Sequence, residues 1–483
     1  MSTLLRPLLT TASAELADAA DHVLNAGDDG PFITDVTHDS RTVRQGSLFC
    51  CVRGERFDGH RFAEDAVRSG AVALLCDRPL EIADITRVAA VRVRDTRQAM
   101  APLAAAFHGH PSRALRVVGV TGTNGKTTTT RIVQAIMHHG RVASDVVGTL
   151  TGARTTPEAT DLQRLLARMR GEGTDVVAME VSSHALALHR VDATSFAAVA
   201  FTNLSRDHLD FHTTMEDYFK AKARLFTKTF SPFAVIDVDT PHGKLLAATT
   251  DIEHVVRTGL STVDVFHVDA SGTRYRWRGI DVFLALPGRF NIDNALVASE
   301  LCVGLGVDPV VVAEALATLA PVPGRFQRID VGAAFTVIVD YAHTPDGIDN
   351  VLTAAREVAA GGRVLVVFGC GGDRDATKRP FMGRSARELA DVVVVTSDNP
   401  RSEDPAGIAT QIIAGMTRRP DAVELDRRRA IRFALATARP GDIVVLAGKG
   451  HETVQDLGTE QVSFDDAAVA LEEADAMRSA WSN

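Results

Sequence analysis

The segment TGTNGKTTTT (121–130) carries the most pointed chemistry in the chain. It follows the apolar run LRVVGV and opens a helix-period stretch, TRIVQAIMHH. Glycines in such a loop let backbone N–H groups turn inward around phosphate oxygens. Lys126 supplies a point charge for the outer phosphates, and the Thr127 hydroxyl can ligate Mg2+. The helix N-terminus adds partial positive charge. The strict spacing G-x-x-x-x-G-K-[ST] fails by one residue, because Val120 stands where its first glycine belongs. Two further runs end in groups that suit a metal ion. VVAMEV carries Glu180, and FAAVAFTNLSRDH carries Asp207 and His208, at expected strand ends. A carboxylate there, beside nucleotide phosphates, is a candidate Mg2+ ligand, direct or through water.

These groups need elements that bring them to one edge. LRVVGVTGTNGK (115–126), TDVVAMEVSSH (174–184), FAAVAFTNLSRDH (196–208), RVLVVFGCGGDRD (363–375), DVVVVTSDNPR (391–401) and DIVVLAGKGHE (442–452) share one pattern. Each is apolar at successive positions and then turns to glycine or polar residues. Strands buried on both faces read this way, which marks parallel sheets. Helix-period stretches such as ALVASELCVGLG (295–306) lie between them. The alternation predicts an α/β protein with doubly wound sheets, whose functional residues gather beyond the carboxyl ends of the strands. Shorter strands occur in the first ~94 residues. Pro and Gly interrupt the pattern near PVPGRFQRID (321–330). Three domains are expected, spanning 1–94, 95–324 and 325–483.

Length supports that division, since 483 residues exceed one ordinary core. With 45% hydrophobic and 23% charged residues, the composition is that of a soluble globular protein. Net charge is −9 with no long basic run, which disfavours bulk nucleic-acid binding. Five cysteines without a C-x-x-C fit a reducing compartment rather than a disulfide frame or a zinc site. Neither a signal peptide nor a membrane-spanning run is evident. A cytoplasmic location is expected.

Taken together, TGTNGKTTTT, MEVSSHAL (179–186), FTNLSRDHLDFH (201–212), LPGRFNIDNAL (286–296), PGRFQ (323–327), DYAHTPDGI (340–348), FGCGGDRD (368–375), SDNPR (397–401) and AGKGHE (447–452) resemble the Mur ligase family. The match runs in order along nearly the whole chain. It is strongest to members that add the third residue of the peptidoglycan stem peptide. The resemblance implies a smaller N-terminal α/β domain for the UDP end, a central phosphate-loop ATPase domain and a C-terminal Rossmann-like domain for the amino acid. The implied reaction uses ATP and Mg2+ to phosphorylate the D-Glu γ-carboxylate of UDP-MurNAc-L-Ala-D-Glu, which an incoming amine then attacks. A monomeric enzyme with no nucleic-acid partner and no membrane span is expected.

The resemblance also implies residue roles. ATP would meet Gly122, Thr123, Asn124, Gly125, Lys126, Thr127 and Thr128, with Asn291 and Asn294 on the adenine side. Arg325 at the hinge would contact ATP phosphates, and Asp340, Tyr341 and His343 would face the nucleotide. Thr127 and Glu180 would hold one metal ion, and His208 would help hold a second. Lys222 matches the lysine that this family carbamylates, although composition alone reads it as a surface helix lysine. His38, Ser40, Glu55, Arg56 and Phe57 match uridine contacts, while Thr155, Thr156, Ser182 and Arg190 match the muramoyl-peptide end. The chain departs from the family pattern at Arg154 (often Asn), Leu188 (polar in some members) and Asp237 (usually Asn).

DNPR (398–401) discriminates between amino acids. Members that add meso-diaminopimelate resemble it, whereas lysine-adding members usually lack the arginine. Diaminopimelate has a second carboxylate, which the Arg401 guanidinium fork can bind with two parallel hydrogen bonds. Arg374, Asp398, Asn399, Pro400, Gly448 and Glu452 match the remaining contacts, with Glu452 receiving the distal ammonium. Three alternatives are disfavoured. A folylpolyglutamate-synthetase-like ligase conflicts with THDSR and DNPR. A non-enzymatic relative would be expected to have lost Lys126, Glu180, His208 or Lys222. A dinucleotide oxidoreductase needs G-x-G-x-x-G, which GCGGDRD does not supply.

Overall fold

The computed structural model describes residues 2–24, 27–54, 57–82, 88–359 and 361–481. Its centre is a six-stranded parallel sheet in the order His254–Thr258, Phe233–Asp237, Ala198–Phe201, Arg116–Thr121, Val176–Glu180, Ser144–Val147. Arg116–Thr121 lies between two strands that follow it in sequence, so crossovers run to both sides. The loops after these three strands therefore meet at one edge. Val118, Val120, Ala178 and Ala200 face one core with the helices Lys126–His139 and Arg289–Gly304. Val117, Val177, Met179 and Val199 face another, with Leu162, Tyr218 and Leu246. Burial on both faces accounts for strands that read as apolar throughout.

A second six-stranded sheet, in the order Gln327–Ile329, Thr336–Asp340, Ile443–Ala447, Val364–Phe368, Val392–Val395, Ala422–Val423, forms the C-terminal part. A four-stranded parallel sheet, 35–92, forms the N-terminal part. Three domains on parallel sheets thus follow the expected α/β architecture.

Two elements depart from a purely parallel reading. Gln327–Ile329 pairs antiparallel with Thr336–Asp340 at the sheet edge. Asp264–Asp269, Gly272–Trp277 and Ile280–Leu284 form a separate antiparallel sheet. Its Tyr275, Trp277, Val282 and Leu284 face the central core while their neighbours face out. The helix Thr96–Phe107 buries Met100, Ala101, Leu103 and Phe107 in the first core, with Leu48, Leu75 and Val91.

Candidate active site

The loop between Arg116–Thr121 and Lys126–His139 is shaped by two glycines that admit no side chain. At Gly122, φ is +155° and a Cβ would lie 1.9 Å from Thr202 Oγ1. At Gly125, φ is +86° and a Cβ would lie 2.2 Å from Asn294 Oδ1. The second places the loop against Asn294, which donates to Asn291 Oδ1 (3.3 Å), and Asn291 in turn donates to the Pro287 carbonyl (2.8 Å). Thr128 is buried in the first helical turn.

Both candidate lysines converge on this loop. Lys126 Nζ donates to the carbonyls of Gly122 (2.9 Å) and Thr123 (2.8 Å). Lys222 Nζ donates to the same Gly122 carbonyl (2.8 Å) and lies 4.5 Å from the Tyr218 ring centroid. Lys222, in the helix Met215–Ala223, is 1% exposed and is not the surface lysine that composition alone suggests. That helix leans on the central sheet through Tyr218 and presents Lys222 inward. Burial, then Lys126, pushes the Lys222 amine well below its ordinary value. Burial also lowers Lys126, and Glu180 opposes the shift. Among the described residues neither lysine forms an ion pair.

Glu180 ends its strand as expected and is 1% exposed. Its carboxylate accepts from Thr127 Oγ1 (3.1 Å), Thr149 Oγ1 (3.2 Å) and the Thr149 amide (2.9 Å). A Cβ at Gly148 would strike it at 2.2 Å. Arg325 Nη2 reaches Thr127 Oγ1 at 3.1 Å, and its guanidinium stacks 4.4 Å from the Tyr341 ring. Thr127 and Glu180 offer adjacent hard oxygen donors, which fits Mg2+. No group of three or more His, Cys, Asp or Glu side chains able to hold a metal ion occurs among the described residues.

Asp207 and His208 lie beyond the strand end that the sequence suggested. The strand stops at Phe201, and both residues sit in the loop that follows it. His208 has φ +55°, a strained value for a non-glycine residue. Burial drives its imidazole down to about 3, so it is neutral at physiological pH. Asp207 is buried against Lys378 Nζ (3.2 Å), with His208 Nε2 at 3.4 Å and His343 Nε2 at 3.8 Å. Burial raises the Asp207 carboxyl, but Lys378 and the two histidines outweigh it, leaving the carboxyl far below its ordinary range.

Asp340 is buried at the end of the strand Thr336–Asp340. Its two oxygens accept from the amides of Phe326 (2.6 Å) and Ala342 (2.7 Å), which pins the hinge next to Arg325.

In the C-terminal domain, Asn399, Arg401, Glu452, Thr453, Val454, Asp456 and Gln461 line a cavity of about 270 Å³. Glu452 accepts from Asn399 Nδ2 (2.8 Å) and Tyr341 OH (3.3 Å), with Lys449 Nζ at 3.6 Å. Arg401, at φ +52°, donates to the Gly372 carbonyl (2.5 Å). Asp398 is buried outside the lining, where a Cβ at Gly448 would lie 2.4 Å from its Oδ2. Gly448 therefore clears room for Asp398. The Pro400 carbonyl accepts from the Glu403 amide, and Arg374 stands exposed.

Toward the N-terminal domain, Thr156 Oγ1 donates to the Glu180 carbonyl (2.9 Å) and accepts from the Ser182 amide (3.0 Å). Arg190 donates to the Thr156 carbonyl (3.1 Å), and Thr155 Oγ1 is 3.1 Å from Thr149 Oγ1. His38 Nδ1 meets Thr160 Oγ1 at 2.8 Å. Ser40 is half-buried and begins a short turn capped by Asp39. Phe57 is 71% exposed, while Glu55 and Arg56 lie outside the described residues. Sequence reasoning missed Thr149, Tyr218 and Lys378. The polar run GTLTG directly after VASDVV was the available signal for Thr149.

A multidomain α/β scaffold with a phosphate-type loop, a buried pair of lysines and a second polar cavity across a hinge defines a nucleotide-dependent enzyme. Known proteins narrow this. The Mur ligase family catalytic domain matches residues 32–108, the Mur ligase middle domain 120–302, and the Mur ligase glutamate ligase domain 324–450. A UDP-N-acetylmuramoyl-L-alanyl-D-glutamate--2,6-diaminopimelate ligase from Syntrophomonas wolfei is 43% identical over 470 residues, 92% of this chain and 96% of that one. A solved structure of another UDP-N-acetylmuramoyl-L-alanyl-D-glutamate--2,6-diaminopimelate ligase is 32% identical, with TM-score 0.63, covering 92% of this chain and 95% of its own. The MurF ligase from Thermotoga maritima, solved in complex with ADP, is 19% identical with TM-score 0.64, covering 92% and 96%, and shares the fold. The chain belongs to the Mur ligase family and is a ligase.

Proposed function

We propose that this ligase joins meso-diaminopimelate to the D-glutamyl residue of UDP-MurNAc-L-Ala-D-Glu, at the cost of ATP, in peptidoglycan synthesis. One observation carries the reading: Lys126 and Lys222 meet at the Gly122 carbonyl, one loop away from the Thr127–Glu180 pair. A carboxylate is a poor acyl donor, so it needs a better leaving group. A carboxylate oxygen of the acceptor bonds to the γ-phosphorus of ATP as the bond from that phosphorus to the β,γ-bridging oxygen breaks, and ADP leaves. The amine nitrogen of diaminopimelate then attacks the carbonyl carbon, loses a proton, and inorganic phosphate departs with the C–O electron pair. Lys126 and the loop amides neutralise charge on the phosphoryl group in flight. Arg325 clamps the phosphates from the hinge, and Asn291 and Asn294 hold the adenine side. Mg2+, when bound at Thr127 and Glu180, supplies further positive charge there. Lys222, carbamylated, and neutral His208 complete the metal-facing set in this reading.

The cavity supports the choice of amine. Its lining of about 270 Å³ holds one guanidinium, Arg401, and two carboxylates, Glu452 and Asp456. A zwitterionic amino-acid head needs that pairing, and lysine has no such head at its far end. The sugar-peptide end rests on His38, Ser40, Glu55 to Phe57, Thr155, Thr156, Ser182 and Arg190. Domain limits of 1–94, 95–324 and 325–483 are kept as a proposal with one change. The helix Thr96–Phe107 shares the first core, so the first limit falls after it. Five free, buried cysteines support a reducing, cytoplasmic setting, and no described helix is long and apolar enough to cross a membrane. We expect a monomer, which sedimentation would test.

The test is an assay of purified protein with Mg-ATP and UDP-MurNAc-L-Ala-D-Glu, comparing diaminopimelate with L-lysine. ADP and phosphate release that depends on both acceptor and diaminopimelate supports the reading. Equal turnover with lysine would move the chain to the sister reading, a ligase adding another amino acid.

A further inference from the structure

Glu158 has no role in the reaction described so far, yet it is the most heavily partnered carboxylate near the acceptor end. It is 5% exposed and precedes the helix Ala159–Gly171. Three guanidinium groups reach it: Arg154 Nη1 at 2.6 Å, Arg190 Nη2 at 2.8 Å and Arg97 Nη1 at 3.3 Å. They come from different parts of the chain. Arg97 lies on a helix packed into the first core, and it also donates to the Arg53 carbonyl through Nε (3.2 Å) and Nη2 (3.1 Å). Arg190 follows the short helix Ser183–Ala187 in the central domain. Arg154 stands where the family pattern often has Asn.

Arg154 is 55% exposed and its charge is solvated, but Arg97 and Arg190 are mostly buried and share the one carboxylate, which leaves a surplus positive charge there. Such an excess is costly unless an anion shares it. Arg190 Nε is also buried without a hydrogen-bond partner. The cluster lies next to the reacting end: Arg190 bonds the Thr156 carbonyl, and Thr156 bonds the carbonyl of Glu180. Resting on the function proposed above, we propose that Glu158 is a positioning residue. It aligns Arg97, Arg154 and Arg190 so that their surplus charge receives the carboxylate of the acceptor's glutamyl residue that is not phosphorylated. A planar carboxylate matches a guanidinium fork held in one orientation. The arrangement also ties acceptor binding to the junction of two domains, since Arg97 and Arg190 are brought to one group only when those domains are docked.

Steady-state kinetics of Glu158→Gln tests this. Loss of the shared carboxylate lets three like charges spread, so the acceptor KM should rise about tenfold while the KM values for ATP and diaminopimelate stay within about twofold. Glu158→Asp should recover part of the loss. Arg154→Asn removes an exposed side chain and leaves folding intact. Its acceptor KM should rise about threefold at low salt and approach wild type at high salt. An acceptor whose non-reacting glutamyl carboxylate is a carboxamide should bind wild type weakly, and Glu158→Gln should add little to that loss. Additive losses would overturn the carboxylate assignment. Unchanged acceptor KM in Glu158→Gln, or equal rises in all three KM values, would overturn the positioning role. Wild-type protein without acceptor-dependent turnover would overturn the functional reading and this inference with it.

Discussion

Lys126 and Lys222 hold two amine nitrogens at one carbonyl oxygen, and this crowding defines what each can do. Removing Lys126 takes away charge placed where the phosphoryl group moves. Lys126→Ala should lower kcat by at least about 10²-fold, read as acceptor-dependent ADP release, with the fold intact by circular dichroism. In the proposed function Arg401 receives the other substrate. Arg401→Ala should raise the diaminopimelate KM by about 10- to 100-fold and leave the ATP KM within about twofold; wild-type diaminopimelate kinetics would refute that role. Asp293 and Asp237 make a separate prediction about stability. Burial, then Asp237, pushes the Asp293 carboxyl up to about 7, and burial pushes Asp237 up to about 6. Between the ordinary carboxylate range and these values the folded chain binds more protons than the unfolded one. Their contribution to stability is therefore greatest at acid pH and is lost as pH rises through about 7. Asp293→Asn, which keeps an acceptor for the Leu260 amide, should raise Tm more at pH 8 than at pH 5. The reverse order would contradict it. At this scale the sequence was most legible where backbone geometry demands a residue type, as at Gly122 and Gly125. Lys222 was not legible from composition, because burial of a helix face depends on partners far away in sequence.

Elements explain why the site holds its shape. The loop works only if its glycines stay glycines. Gly125→Ala puts a Cβ 2.2 Å from Asn294 Oδ1 at φ +86°, so it should cost about 1–3 kcal/mol and weaken nucleotide binding together. Chemical denaturation and calorimetric titration with ADP would measure both, and unchanged values would argue against the loop as drawn. Runs such as VVGV and VVAME announced their strands because both faces are buried. The antiparallel sheet 264–284 was not recognised, though TRYRW alternates outward arginines with the inward Tyr275 and Trp277. That period of two is the mark of a half-exposed strand. The edge strand Gln327–Ile329 is too short to leave a periodic signal. Asp207 and His208 were placed too close to their strand because the apolar run gives no sign of where pairing ends.

At the scale of the whole molecule, the proposed function requires the central and C-terminal domains to meet. The sequence foretold three domains but not the contacts that join them. Those contacts are long-range: Asp207 with Lys378, Asn124 Nδ2 with Asp346 Oδ2 (2.8 Å), Arg206 Nη2 with Thr377 Oγ1 (2.7 Å) and Arg325 with Thr127. Lys378→Met would leave the Asp207 carboxylate buried without its nearest cation, a loss of several kcal/mol by general estimate, on the order of 3–5. The docked arrangement should then loosen, seen as a larger radius of gyration in X-ray scattering and a higher diaminopimelate KM. Unchanged scattering and kinetics would show that this pair does not hold the domains together.

The central claim is that the acceptor's carboxyl group is activated as a mixed anhydride with phosphate. Acceptor labelled with oxygen-18 in the reacting γ-carboxylate tests it directly, by mass analysis of the phosphate released during turnover with ATP and diaminopimelate. One labelled oxygen per phosphate is the result expected. Unlabelled phosphate, formed at the same rate as amide, would contradict it.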